Sequence, residues 1–184
     1  MRLQQIIGHF QTITHHRHLV MKGCFAVGLY RQGLLHDLSK YSPTEFIQGC
    51  RYYVDGKRSA NNEEREATGR SLAWMHHKGR NKHHLEYWID YPVDKNSKTP
   101  MVGVRMPVNY VVEMYVDRVA ACKNYQKDEY REGNPLKYFH RGRSHLLLHE
   151  RTAKQLEILL TMLSKHGEEY TNDFIRRKVL RNRK

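Results

Sequence analysis

Thirteen histidines in 184 residues are many, and the informative ones fall in a few short segments. His15, His16 and His18 lie in HHRHLV, and His36 stands directly before Asp37 in LLHDLSK. His76, His77, His83 and His84 crowd HHKGRNKHH, and Asp117 stands in VDRVAA. Neutral imidazole and carboxylate are the ligands that borderline divalent metals prefer. A lone histidine on an apolar face is usually a satisfied core residue. An aspartate there is harder to dismiss, because its charge must be met by a cation or by hydrogen-bond donors. Several such residues on separate elements, all on apolar sides, point to a shared bound cation. The three cysteines form no C-x-x-C pair, which argues against a zinc ribbon or finger. H-E-x-x-H, a phosphate-cradling P-loop and a G-x-S-x-G elbow are also absent.

The elements that must carry these residues read as helices. After Thr14, a plausible N-cap, the series His16, Val20, Cys24 and Val27 marks one helical face. Gly33 breaks the run before LLHDLSK, and Ser42-Pro43-Thr44-Glu45 combines a capping box with proline at the first helical position. That helix runs through Phe46, Ile47 and Tyr53, and Asp55 to Asn62 reads as a loop. A helix from about Glu63 to His77 places Ala67, Trp74 and His77 on one side, and a short helix carries His83, His84 and Trp88. Residues 91–107, with three prolines, form the longest loop, of the kind that often covers a site. From Val108 to about Tyr125, Tyr110, Met114, Asp117 and Ala121 share a face. After Gly133-Asn134-Pro135, a last helix spans about 150–165 on Leu156, Leu159, Leu160 and Leu163, closed by His166-Gly167. No two-residue alternation, internal repeat or linker interrupts this pattern. The expectation is an all-α, single-domain helical bundle over residues 1–184.

The order of these residues resembles the HD superfamily of metal-dependent phosphohydrolases over roughly residues 15–120. His16, four residues before Val20, is similar to that family's H-x-x-x-V start, and LLHDLSK is similar to its LLHD-x-x-K. The blocks QGLLHDLSKYSPTEF and AW-x-HHKGRNKHH-x-EYW look closest to an uncharacterised HD-like branch. The resemblance implies an HD-type bundle with a metal-binding core at about residues 15–125, holding one or two divalent transition ions (Mn, Fe, Co, Ni or Zn). One ion would take His16, His36, Asp37 and Asp117; a second would take Asp37, His77, His83 and His84. Asp37 would bridge the two and help activate water, and Lys40 would join it as a catalytic or phosphate-contacting residue. The six residues from His77 to His83 are a tighter spacing than in dinuclear relatives, so one or two of these histidines could face substrate instead. His15 and His18 compete with His16, and His76 with His77; the apolar stripes favour His16 and His77.

Around this set, Arg80 and Lys82 could meet an anionic substrate, Arg118 could orient a phosphate or carboxylate, and Glu86 could steady an imidazole. The net charge of +13 would draw anions to the protein. The leading reading is thus a phosphohydrolase acting on a nucleotide or a related small phosphoester. Two others stay open: a nucleic-acid-associated protein gripping through the basic tail 174–184 with a structural or vestigial metal site, and a di-iron oxygenase of HD type. With 39% hydrophobic residues and no long apolar run, the chain is neither a disordered tail nor a membrane span. The absence of a signal-like start and the odd cysteine count favour a cytoplasmic setting.

Overall fold

The computed structural model describes residues 2–181, and the last three residues of the basic tail lie outside that range. Helix α1 (Leu3–Ala26) is longer than expected, starting eleven residues before Thr14. Thr14 is therefore mid-helix, its hydroxyl 3.0 Å from that of Tyr41. The stripe His16, Val20, Cys24 and Val27 is buried as its spacing requires. Helix α2 (Tyr30–Leu35) folds back along α1. Gly33 lies inside it and does not break it; a Cβ there would come within 2.9 Å of the Cys24 side chain, so the glycine lets the two helices touch.

A 3-10 turn (Leu38–Tyr41) leads into α3 (Pro43–Arg51), which starts where Ser42-Pro43 predicts. The Ser42 hydroxyl accepts from the Glu45 amide, but the Glu45 carboxylate turns inward to two histidines, so the capping box is half made. The single helix expected from Glu63 to His77 is two, α4 (Ala60–Thr68) and α5 (Leu72–Lys78). Gly69 ends the first in a left-handed conformation, and the Ser71 hydroxyl caps the second. That break leaves Ala67 exposed and His77 buried. His83 and His84 lie in a turn ahead of the 3-10 segment Leu85–Trp88, not in a helix.

Residues 89–103 close into a minimal antiparallel pair, β1 (Ile89–Asp90) with β2 (Val102–Gly103). Helix α6 (Val108–Gln126) then crosses the middle of the molecule against α1. A helix absent from the sequence reading, α7 (Asn134–Gly142), follows with Pro135 near its start and Phe139 buried. It is amphipathic but only nine residues long, too short for its one buried face to stand out in the chain. Helix α8 (Glu150–Phe174) buries Leu156, Leu159, Leu160 and Leu163 as expected, but His166-Gly167 makes a kink where the chain continues as helix. The segment Ile175–Val179 is helical too, with Ile175 in the core. The described part of the basic tail is thus packed structure, and Arg176 and Arg177 both pair with Asp173.

The result is a single-domain, all-α bundle whose core is built from α1, α6 and α8. None of its helices is long and apolar enough to cross a membrane among the described residues. His9 of α1 is wedged beneath α3, so close that a Cβ at Gly49 would meet its ring at 2.1 Å. Burial, and then the charge of Lys40, lower its pKa to about 4. Between pH 6.5 and about 4 the unfolded chain would bind a proton at His9 that the folded chain refuses, so stability falls as the pH drops through that window. We expect His9→Gln to flatten the acid limb of the denaturant-derived stability curve, removing up to roughly 3 kcal/mol of its fall. An unchanged limb would show that His9 is not the group responsible.

Candidate metal centre

The sharp turn between α2 and α3 is where the site begins. Asp37 sits in the left-handed region (φ 54°, ψ 23°), a conformation that aspartate tolerates better than bulky residues. The turn aims His36 and Asp37 inward together, and both are almost fully buried. Their leucine neighbours point out instead: Leu34 is 52% exposed and Leu35 53%.

The two oxygens of Asp37 face different partners. Oδ2 lies 3.3 Å from His36 Nε2 and 3.9 Å from His16 Nε2, and His16 Nε2 is 3.0 Å from Asp117 Oδ1. Oδ1 lies 3.2 Å from His77 Nε2 and 3.4 Å from His83 Nε2, and the Nε2 atoms of His77 and His84 are 2.9 Å apart. All seven residues singled out in the sequence thus converge as two donor groups, His16/His36/Asp37/Asp117 and Asp37/His77/His83/His84. A tetrahedral ion with ligands at ~2.0–2.2 Å spaces those ligands roughly 3.4 Å apart. The distances here are of that size. His36 Nε2, His83 Nε2 and Asp37 Oδ1 are buried without a hydrogen-bond partner, a cost that a cation at their meeting point would remove.

Electrostatics point the same way. Burial disfavours charge on Asp37 and Asp117, yet His36 and Lys40 beside the first, and His16 and His36 beside the second, hold both well below the usual carboxylate range. Against burial, the surrounding carboxylates raise the pKa of His36 and, less strongly, of His77. Burial and the neighbouring imidazoles lower that of His84. The carboxylates thus draw protons to His36 and His77, whereas burial, and then the charge of Lys40, lower the pKa of His16. Lys40 Nζ lies 2.6 Å from Asp37 Oδ2.

The competing histidines separate cleanly. His16 points into the cluster, whereas His15 is exposed and bonds Asn124 at 2.7 Å, and His18 is exposed. His77 enters the cluster, while His76 stays half-buried against Glu45. Two glutamates support the set: Glu113, which the sequence did not mark out, and Glu45, whose sequence pattern pointed only to a helix cap. Glu113 Oε1 accepts from Nδ1 of His36 at 3.0 Å and lies 3.3 Å from Nδ1 of His83, which turns both Nε2 atoms toward Asp37. Gln32 donates to its other oxygen. Glu45 holds Nδ1 of His76 at 2.6 Å and of His77 at 2.8 Å. The signal for Glu113 was its place one turn before Asp117, amid Val111, Val112 and Met114. Glu86, expected to steady an imidazole, makes no such contact among the described residues and borders the neighbouring cavity.

That cavity, about 780 Å³, opens beside the cluster; His16, His77, His84 and Asp117 form part of its wall. Residues 91–107 do not border it, so the long loop is no cover for this site. Arg80 and Lys82 are also turned away, Arg80 to the His76 carbonyl and Lys82 to the rings of Tyr87 and Tyr110. Cys122 borders the cavity, but burial pushes its thiol up to about 11, which excludes a ready thiolate nucleophile.

Residues 5–162 match a family of unknown function, DUF5662, and the chain belongs to it. No curated protein and no solved structure shows significant similarity to the chain.

Proposed function

We propose that this DUF5662 protein is a divalent-metal-dependent phosphohydrolase related to the HD superfamily, acting on a nucleotide or similar small phosphoester. The carrying observation is Asp37, whose two buried oxygens each face a separate trio of donor atoms. Two transition ions held by these groups supply Lewis-acid activation of water and charge neutralisation at phosphorus. The chain's own residues do the remaining work. Asp37 and Asp117 provide the anionic ligands, while Glu113 and Glu45 hold three of the five imidazoles with Nε2 turned inward. Lys40 balances Asp37 and borders the cavity, placed to meet a phosphate oxygen. The +13 net charge favours encounter with anionic substrates. A reducing, cytoplasmic setting suits its three unpaired cysteines.

Elemental analysis of natively purified protein should find between one and two transition ions per chain. Mn²⁺-, Co²⁺- or Ni²⁺-loaded protein should release phosphate from members of a nucleotide and phosphodiester panel, and chelation should stop it. Lys40→Ala should raise KM more than it lowers kcat. Absence of metal, with no thermal shift on adding any divalent ion, would sink the metal reading. Turnover of no phosphoester, alongside O₂ consumption by the iron-loaded form, would move the function to oxygenase.

A further inference from the structure

The cavity beside the cluster is lined unevenly. Six of its lining residues are lysine or arginine and only two, Glu86 and Asp117, are acidic. Several of those cations are already engaged. Lys40 pairs with Asp37, Arg58 with Glu63 and Glu66, and Arg65 donates to Asn62. On the wall made by α6 and α7 the situation differs. Arg118 and Arg141 have no carboxylate partner among the described residues. Arg118 Nε is buried and makes no hydrogen bond, and its guanidinium lies 5.8 Å from the Phe139 ring centre. Arg141 lies 5.3 Å from the ring centre of Tyr138, the residue before Phe139. Packing a guanidinium on a ring fixes its plane and leaves its N–H edge for a ligand.

A buried N–H donor without an acceptor costs free energy unless a ligand supplies one. Arg118 follows Asp117 directly, so an anion on its fork would sit on the same cavity wall as the donor cluster. Inorganic phosphate alone would fill a small part of about 780 Å³, a volume in the range of sites for whole organic ligands. Trp74 and Tyr138 add flat apolar surface to the same lining.

From these features we infer that the substrate carries a second phosphate besides the one at the donor cluster, and that Arg118, assisted by Arg141, binds it. The ligand class is an organic diphosphate ester such as a nucleoside diphosphate. Two guanidinium groups match the two charges of a terminal phosphate, and the fork geometry of Arg118 suits paired oxygens. The inference rests on the phosphohydrolase reading for what happens at the cluster, but the subsite itself binds without metal.

The test is therefore a binding comparison. Calorimetry with ADP, AMP and adenosine is run on the full chain, both Mn²⁺-loaded and stripped with EDTA. Wild-type protein should bind ADP at least about tenfold tighter than AMP when Mn²⁺-loaded, and the stripped form should still bind ADP more tightly than adenosine. Arg118→Gln should bring the two ligands within about threefold, Arg118→Lys should fall between, and Arg141→Gln, at an exposed position, should reduce the preference without disturbing the fold. Circular dichroism and the thermal midpoint confirm that each variant is folded. If Arg118→Gln fails to fold, the Arg118→Lys and Arg141→Gln pair decides. Equal affinity for ADP and AMP in the Mn²⁺-loaded wild type, no measurable ADP binding, or a preference that survives these substitutions overturns the inference. ADP-selective binding without turnover of any phosphoester would instead leave the subsite standing and remove the hydrolase reading. Turnover with no preference for two phosphates would do the reverse.

Discussion

Asp37→Asn should leave a folded protein that carries almost no transition metal. Asparagine has nearly the same shape and also tolerates the left-handed backbone at this position, so the turn itself is preserved. Its amide, however, offers one acceptor oxygen and one N–H₂ donor where the carboxylate offers two acceptors. Whichever way it turns, one donor group loses its shared ligand, and both lose the charge. An ion present at 100 times its Kd stabilises the folded state by about 2.7 kcal/mol, which is about 5–11 °C in thermal midpoint for a domain of this size. That shift, measured between metal-loaded and EDTA-stripped samples, should vanish in Asp37→Asn. Taking the difference cancels any effect of the substitution on the fold alone. Lys40, a quarter exposed at its side chain, can move away once its partner is gone. Full metal content in the variant would show that Asp37 does not bridge two ions.

How far the sequence could be read follows from which forces each feature depends on. His16, His77 and Asp117 were visible because burying polar groups on an apolar stripe is costly, and His16 beside Val20 and Cys24 advertises that cost along the chain. His83 and His84, by contrast, were read only through the resemblance to the HD pattern. Long-range partners leave weaker traces. Glu45 fits a helix start by local chemistry, and only the fold shows that its carboxylate crosses to His76 and His77. Glu113 reads as one polar residue in a valine-rich stretch until α6 is laid against α2 and Gln32. Helix boundaries failed where tertiary contact overrides propensity. Gly33 looks like a break but is demanded by the approach of α1 and α2, and Gly167 looks like a terminus but only kinks α8. The basic tail is a different case. Its charges dominate the composition, while the buried Ile175, with Val179 and Leu180 packed beside it on the core, anchors the segment.

Glu113→Gln and Glu45→Gln should separate the two ions. A carboxylate behind a ligating imidazole fixes which nitrogen is protonated and raises the basicity of the other, and losing it typically costs 10–100-fold in metal affinity. Glu113 is held ionised, its pKa lowered to about 2 because bonds from His36 and His83 outweigh burial. It contacts His36 of one donor group and His83 of the other, so one substitution reaches both groups. Glu45 supports His77 alone among the seven, since His76 faces away from the cluster. Titrating stripped protein with Co²⁺ against a competing chelator should therefore give two tight steps in the wild type. In Glu113→Gln both steps should weaken by about 10–100-fold; in Glu45→Gln one should weaken to that extent while the other stays within about threefold. The amide of glutamine still accepts one hydrogen bond, so neither variant should lose more than a few degrees of midpoint when both are compared without metal. A single step in the wild type would mean that the donors hold one ion between them, with Asp37 a shared wall of a single site. A Glu45→Gln variant that weakens both steps alike would show that Glu45 does not act on one donor group alone.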